Sequence, residues 1–185
     1  MKRENIFISY CHHDSYWLEK IQIFLKPLVR SIKINVWDDK GIVSGSKWKD
    51  EIERNLQSAQ IAILLVTPNF LASDFIADHE LPKIFRKAEK EGLLIFWISI
   101  SHCLYDETEL KDFQCANNPS RPLDNMPEYE QNQRLTEICQ DIKNAVLSQK
   151  ITTVPEIKQV KNIEIAPDDW HSNKDSLLGK IKKLF

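Results

Sequence analysis

A few short segments gather side chains able to do chemistry. Asp38 and Asp39 stand together after an apolar run, Lys33 to Trp37. Paired carboxylates at such a place suit a divalent cation, or simply a polar strand end that caps its own loop. His12 and His13 follow another apolar run, Asn5 to Tyr10. Neighbouring histidines in an extended segment point to opposite sides, and no third ligand accompanies them, so a polar loop is the plainer reading. Glu80 lies in Ser73-Asp74-Phe75-Ile76-Ala77-Asp78-His79-Glu80-Leu81. A helical glutamate taken alone is ordinarily a solvated residue. Only its context raises it.

Several chemistries are excluded by what is missing. The chain has no GxGxxG, no GxxxxGK[ST], no GxSxG elbow and no HExxH helix, and 4 glycines leave little material for a phosphate-cradling loop. A phosphate-accepting receiver domain would need an aspartate ending its third strand, where this chain has Val66-Thr67-Pro68. The 4 cysteines, Cys11, Cys103, Cys115 and Cys139, form no CxxC pair and have no zinc-like histidine spacing. Reduced thiols in a cytosolic protein are expected, with no metal. A net charge of -2 and a pI near 6.2 supply no bulk attraction to nucleic acid or anionic membrane. No stretch is long and apolar enough to span a bilayer, and the N-terminus carries no apolar signal core.

The elements that must position these residues follow from periodicity. Asn5 to Tyr10 and Ile61 to Val66 are unbroken apolar runs of the kind buried on both faces in a parallel sheet, and Lys33 to Trp37 and Leu93 to Ser99 read as two further strands. Between them, Trp17, Ile21, Phe24, Leu25 and Leu28 mark one apolar helical face, with Asp14 as its expected N-cap. Trp48, Ile52 and Leu56 mark a second helix. Ser73 offers a cap for a third, in which Pro82 either kinks the helix or begins a new one, and Gly92 ends it. The segment from Ser101 to Pro127 reads as loop, with a brief fifth strand near Arg121 to Leu123. A last helix carries Leu135, Ile138, Cys139, Ile142 and Val146.

Strands alternating with helices predict a doubly wound, flavodoxin-like parallel sheet of five strands in the order 2-1-3-4-5, with helices on both faces. Ligands of such sheets bind outside the carboxyl ends of the strands. That rule draws attention to Tyr10 to Asp14, Asp38 to Trp48, Pro68 to Glu80 and Ser99 to Tyr105. Residues 1–148 form the expected domain. Residues 149–185 are interrupted by Pro155 and Pro167 and end on a stripe of Leu177, Leu178, Ile181 and Leu184. They read as a docking helix, a linker or a tail, the stripe favouring docking.

Phe7-Ile8-Ser9-Tyr10 with His12, His13 and Asp14 resembles the first-strand box of TIR (Toll/interleukin-1 receptor and resistance protein) domains. Val36-Trp37-Asp38-Asp39 and Ile42 to Trp48 are similar to the family's second box and its BB loop. Thr67-Pro68-Asn69-Phe70-Leu71-Ala72-Ser73 followed by Glu80-Leu81 is similar to its SPxFLxS…xEL segment. The likeness covers about residues 4–147 in the right order and looks bacterial. In NAD-cleaving members the glutamate of that last segment is catalytic, so the resemblance implies this role for Glu80. It further implies Tyr10, Cys11, Asp38 and Trp48 as lining of the substrate site. NAD+ would then be substrate, with no separate cofactor, and homotypic assembly would run through Gly41 to Lys47, with a sensor domain or partner protein as a further partner. An effector or signal generator in bacterial antiphage immunity is the implied role, releasing nicotinamide and linear or cyclic ADP-ribose. The alternatives are a non-catalytic TIR–TIR adaptor and a nucleotide sensor without turnover. Two departures stand out. Ser44-Gly45 replaces a common Pro-Gly, and Ile76 stands four residues before Glu80 where many relatives have Trp, leaving Trp97 or Phe75 to offer a ring surface.

Overall fold

The structure, a computed structural model, describes residues 5–41 and 48–152. The expected loop from Ile42 to Lys47 and the expected terminal helix near Leu177 lie outside the described residues. Four strands, β1 (Asn5–Ser9), β2 (Asn35–Trp37), β3 (Ile61–Val66) and β4 (Leu94–Ser99), form one parallel sheet in the order β2-β1-β3-β4. Every strand pair is parallel, with Ile6 opposite both Val36 and Ile61, and Ile63 opposite Phe96. The expected order 2-1-3-4 is therefore present.

Side chains alternate across the sheet as strand geometry requires. Ile6, Ile8, Ile61, Ile63 and Leu65 join the core under α1 (Ser15–Ile32) and α5 (Glu128–Thr152). Phe7, Ala62, Leu64 and Val66 face the opposite way, into the core beneath α2 (Trp48–Ser58) and α4 (Leu81–Glu91). Because helices cover both faces, all six residues of β3 are buried, which is why its sequence is apolar without alternation. At the end of β1 this parity matters for function. Ser9 shares the face of Phe7, the side from which the helical segment after β3 approaches.

That segment has an unusual turn. A short helix α3 (Pro68–Leu71) follows β3, capped by the Thr67 side chain, which accepts from the Phe70 amide. Ser73 caps the next segment as expected, its Oγ accepting from the Ile76 amide at 3.4 Å. Residues Ile76–Glu80 then form a π-helical turn, closed by the Leu81 amide donating to the carbonyl of Ile76. Pro82 supplies the reason. At the second position of α4 it has no N–H to donate, and its ring would strike the carbonyl four residues back, so the turn before it widens. Gly92 ends α4 in the left-handed region at φ 73°, as expected for that residue.

The brief fifth strand near Arg121 to Leu123 does not form. Pro122 has no amide donor, and Leu123–Asn125 is a 3-10 turn. The edge of β4 is occupied instead by residues 114–117. Cys115 makes a single parallel bridge to Trp97, and the Ala116 amide donates to the Trp97 carbonyl at 2.9 Å. Asn117 takes both backbone groups of Ser99: its Oδ1 accepts from the Ser99 amide at 2.8 Å and its Nδ2 donates to the Ser99 carbonyl at 3.0 Å. One side-chain amide thus does the pairing of a strand.

Candidate functional site

The described residues enclose a cavity of about 830 Å³ outside the carboxyl ends of β1, β2 and β3. Its wall comes from the turn after β1 (Tyr10 to His13), the turn after β2 (Asp39 and Lys40), and the segment after β3 (Asn69, Ala72, Ser73, Phe75, Ile76 and Glu80). The volume is that of an ordinary small-molecule site. It sits where the strand order reverses direction, the expected place for a ligand in a doubly wound sheet.

Glu80 is buried, with 6% of its surface exposed. Its Oε2 accepts a short hydrogen bond from the Ser9 hydroxyl, itself 2% exposed. Loss of hydration raises the Glu80 carboxyl from its usual 4.5 to about 7. The Ser9 hydrogen bond opposes that rise, the charge of Asp39 adds to it, and His12 opposes it again. The result is a carboxylate that titrates near neutrality at the base of an open cleft, an arrangement common at catalytic sites.

Facing Glu80 is a polar and aromatic cluster. His12 Nε2 lies 2.6 Å from Asp39 Oδ2, and the His12 ring stacks on Tyr10 with centroids 5.5 Å apart and planes 11° from parallel. Burial, then the charge and hydrogen-bonding of Asp39, then Asp38, push the Tyr10 phenol well above its ordinary value, so it stays neutral. Asp14 does not cap α1 with its side chain. Its carboxylate instead accepts from Thr67 Oγ1 at 2.6 Å and from Asn69 Nδ2 at 3.0 Å, tying the turn after β1 to the turn after β3.

Of the residues expected at the site, Glu80, Tyr10 and Cys11 meet at the cavity. Asp38 does not. Its Oδ2 accepts from Gln22 Nε2 at 2.5 Å and its Oδ1 from the Lys40 amide at 3.0 Å, so it caps the turn and Asp39 takes the place in the lining. Trp48 begins α2, and its side chain lies outside the described residues. Of the two candidate ring surfaces, Phe75 lines the cavity. Trp97 is buried at 2% exposure with its Nε1 donating to the Phe113 carbonyl, and does not reach it. Ser9 was not among the expected site residues, and Asp39 and His12 stood out only as halves of a carboxylate pair and a histidine pair. The parity of Phe7 and Ser9 along β1 was a usable signal for the first, but nothing local distinguishes Asp39 from Asp38. Among the described residues no three His, Cys, Asp or Glu side chains gather as a metal site, and no helix is long and apolar enough to cross a membrane.

A parallel sheet in the order β2-β1-β3-β4 with a cleft at its strand ends is the architecture of a flavodoxin-like, doubly wound domain. The model of the TIR domain family matches residues 6–135, and the chain belongs to that family. It is similar to protein y4lF of Sinorhizobium fredii (strain NBRC 101917 / NGR234), 22% identical over 127 residues, which are 69% of this chain and 39% of that protein. The chain thus spans well under half the length of that relative. Among solved structures it is similar to the TIR domains in "Structure of the activated Roq1 resistosome directly recognizing the pathogen effector XopQ", with a TM-score of 0.42 and 16% identity over 79% of this chain and 98% of that one.

Proposed function

We propose that this TIR domain is an NAD+ glycohydrolase that breaks the nicotinamide–ribose bond, with Glu80 as the catalytic carboxylate. The observation that supports this reading most directly is a buried carboxylate on the cavity wall whose hydrogen-bond partner is a neutral hydroxyl, not a cation. A structural glutamate would be stabilised by a lysine or arginine. Among the described residues Glu80 makes no ion pair with a lysine or arginine, which leaves its charge available to a ligand.

NAD+ carries the matching charge. When the C1′–N bond breaks, its electron pair returns to the pyridinium nitrogen and nicotinamide leaves neutral, without a general acid. Positive charge passes to C1′ and the ring oxygen of the ribose. Ionised Glu80, itself buried and held by Ser9, stabilises that charge or adds to C1′ as a nucleophile. Water then attacks C1′ and loses a proton to give ADP-ribose, or a nucleophile of the same molecule closes a cyclic isomer. Asn69, Ser73 and Asp39 are placed to hydrogen-bond ribose hydroxyls, and Phe75 offers a face for a flat ring. NAD+ is substrate here and not a resident cofactor. The biological reading is an effector or signal generator in bacterial immunity, acting in the cytoplasm.

The test is NAD+ consumption by purified protein across a wide concentration range, with Glu80→Ala as the comparison. Removing the carboxylate is expected to cost on the order of 10³-fold in turnover. Wild-type protein that consumes no NAD+ at any concentration, or a fully active Glu80→Ala, overturns the proposal and leaves the adaptor reading. The same titration tests assembly. Gly41 to Lys47 holds Ile42 and Val43 between two glycines, an apolar pair suited to a contact between copies. Turnover per molecule is expected to rise steeply with concentration, and Ile42→Asp to abolish that rise while leaving the melting temperature unchanged. Flat specific activity with an active Ile42→Asp would exclude assembly and leave Glu80 unaffected.

A further inference from the structure

Within the candidate site one group stands apart because nothing about its position requires its chemistry. Ser9 ends β1 on the face shared with Phe7, in a strand otherwise made of Asn5 and apolar residues. At 2% exposure it occupies a place where an alanine would pack without loss of apolar contact. A hydroxyl at such a depth needs a partner. The one it has is Glu80 Oε2, 71 residues away in sequence. Among the described residues, Ser9 is also the hydrogen-bond partner that Glu80 has.

We propose that Ser9 is the positioning residue of this site: its hydroxyl holds one oxygen of Glu80, favours the anion over the acid, and turns the other oxygen toward the cavity. This rests on the glycohydrolase reading for its consequence, but not for its geometry. The widened turn at Ile76–Glu80 is the second half of the device. It is closed by the hydrogen bond between Leu81 and Ile76 and is followed by Pro82, so the backbone of Glu80 is set by its own chain while Ser9 sets its side chain. A carboxylate gripped at one oxygen cannot rotate to present either edge at random. It therefore meets an incipient C1′ cation without first reorganising.

The charged groups that act on Glu80 come from the other walls. Asp39, at the end of β2, disfavours its ionisation and His12, in the turn after β1, favours it. Tyr10, Cys11, His13 and Lys40 line the same cavity. Asp39 Oδ2 and His12 Nε2 lie 2.6 Å from each other, so each is engaged by the other. Ser9 is left as the largest influence in favour of the anion.

The experiment is a titration of the Glu80 carboxyl by carbon NMR in protein labelled at glutamate carboxyls, with Glu80→Gln to assign the signal. Wild type, Ser9→Ala and Ser9→Thr are compared. The midpoint of Ser9→Ala is expected to move up by at least about one pH unit, which is tenfold in the ionisation constant. Ser9→Thr, which keeps the hydroxyl, is expected to return it most of the way. With NAD+ as substrate, the rising acid limb of kcat/KM should move by the same interval, giving Ser9→Ala about a fivefold loss at pH 7 that approaches tenfold at lower pH and shrinks toward pH 9. A midpoint that Ser9→Ala leaves in place overturns the proposal, as does an activity loss equal at every pH. Should Ser9→Ala fail to fold, Ser9→Cys, of the same shape and a weaker donor, is titrated instead and must fall between. The NMR arm does not depend on turnover. Absence of NAD+ cleavage would remove the glycohydrolase reading while the titration still decides the role of Ser9.

Discussion

Glu80→Gln is expected to make the folded chain more stable than wild type above neutral pH, while abolishing turnover. The carboxyl titrates at about 7 in the folded chain, against an ordinary 4.5. Between those values the folded state binds more protons at this group than the unfolded state does. Stability therefore falls as pH rises through that window and is level above it. The span corresponds to roughly 3 kcal/mol at 1.36 kcal/mol per unit, and the burial of Glu80 means that little of it is screened by solvent. Glutamine removes the ionisation and keeps an oxygen that accepts from Ser9. The variant should match wild type near pH 4.5 and exceed it by about 2–3 kcal/mol at pH 8, or roughly 5–10 °C in Tm for a domain of this size. Melting curves for both proteins across pH 4–9 decide it. A constant offset between them would mean that Glu80 is not held at a cost, and with it the main physical argument for a functional carboxylate would go. A functional carboxylate held at a cost to the fold is the trade between stability and activity expected at such a site.

Asn117→Ala is expected to destabilise the chain by about 3 kcal/mol without altering the site. The side chain is 6% exposed and serves both the amide and the carbonyl of Ser99, a residue 1% exposed. Alanine leaves two buried backbone groups without partners, each costing about 1–3 kcal/mol. Asn117→Asp sharpens the reading. It keeps an acceptor for the Ser99 amide but sets a carboxylate against the Ser99 carbonyl, so it should be tolerated better at low pH than at high. Urea unfolding at pH 4 and pH 8 would show this. No residue of β4 or of the segment after it lines the described cavity, so the titration of Glu80 should stay where it is. A loss under 1 kcal/mol for Asn117→Ala would mean that the β4 edge is satisfied some other way, and that the fifth position of the sheet does not depend on this amide.

The apolar runs, their order and their spacing were enough to place every strand within two residues of where it lies. A parallel strand buried on both faces can be made only from such a run, and local chemistry ends it: Thr67-Pro68 after β3, Gly92 before β4. Glu80 stood out through its motif, and it lies on the cavity wall. Three things were decided only by tertiary structure. Asp38 and Asp39 are chemically identical, and which one enters the cavity depends on Gln22, a residue of α1 that captures Asp38. Asp14 looks like a cap because capping is local, yet Thr67 and Asn69 reach it from more than 50 residues away. The fifth position of the sheet went to a single backbone bridge at Cys115 and to the Asn117 side chain, which satisfies the strand edge at Ser99 without a strand. Periodicity reports which face of an element is buried. Which polar group meets which across a cleft is set by distances between elements, and those exist only once the sheet has formed.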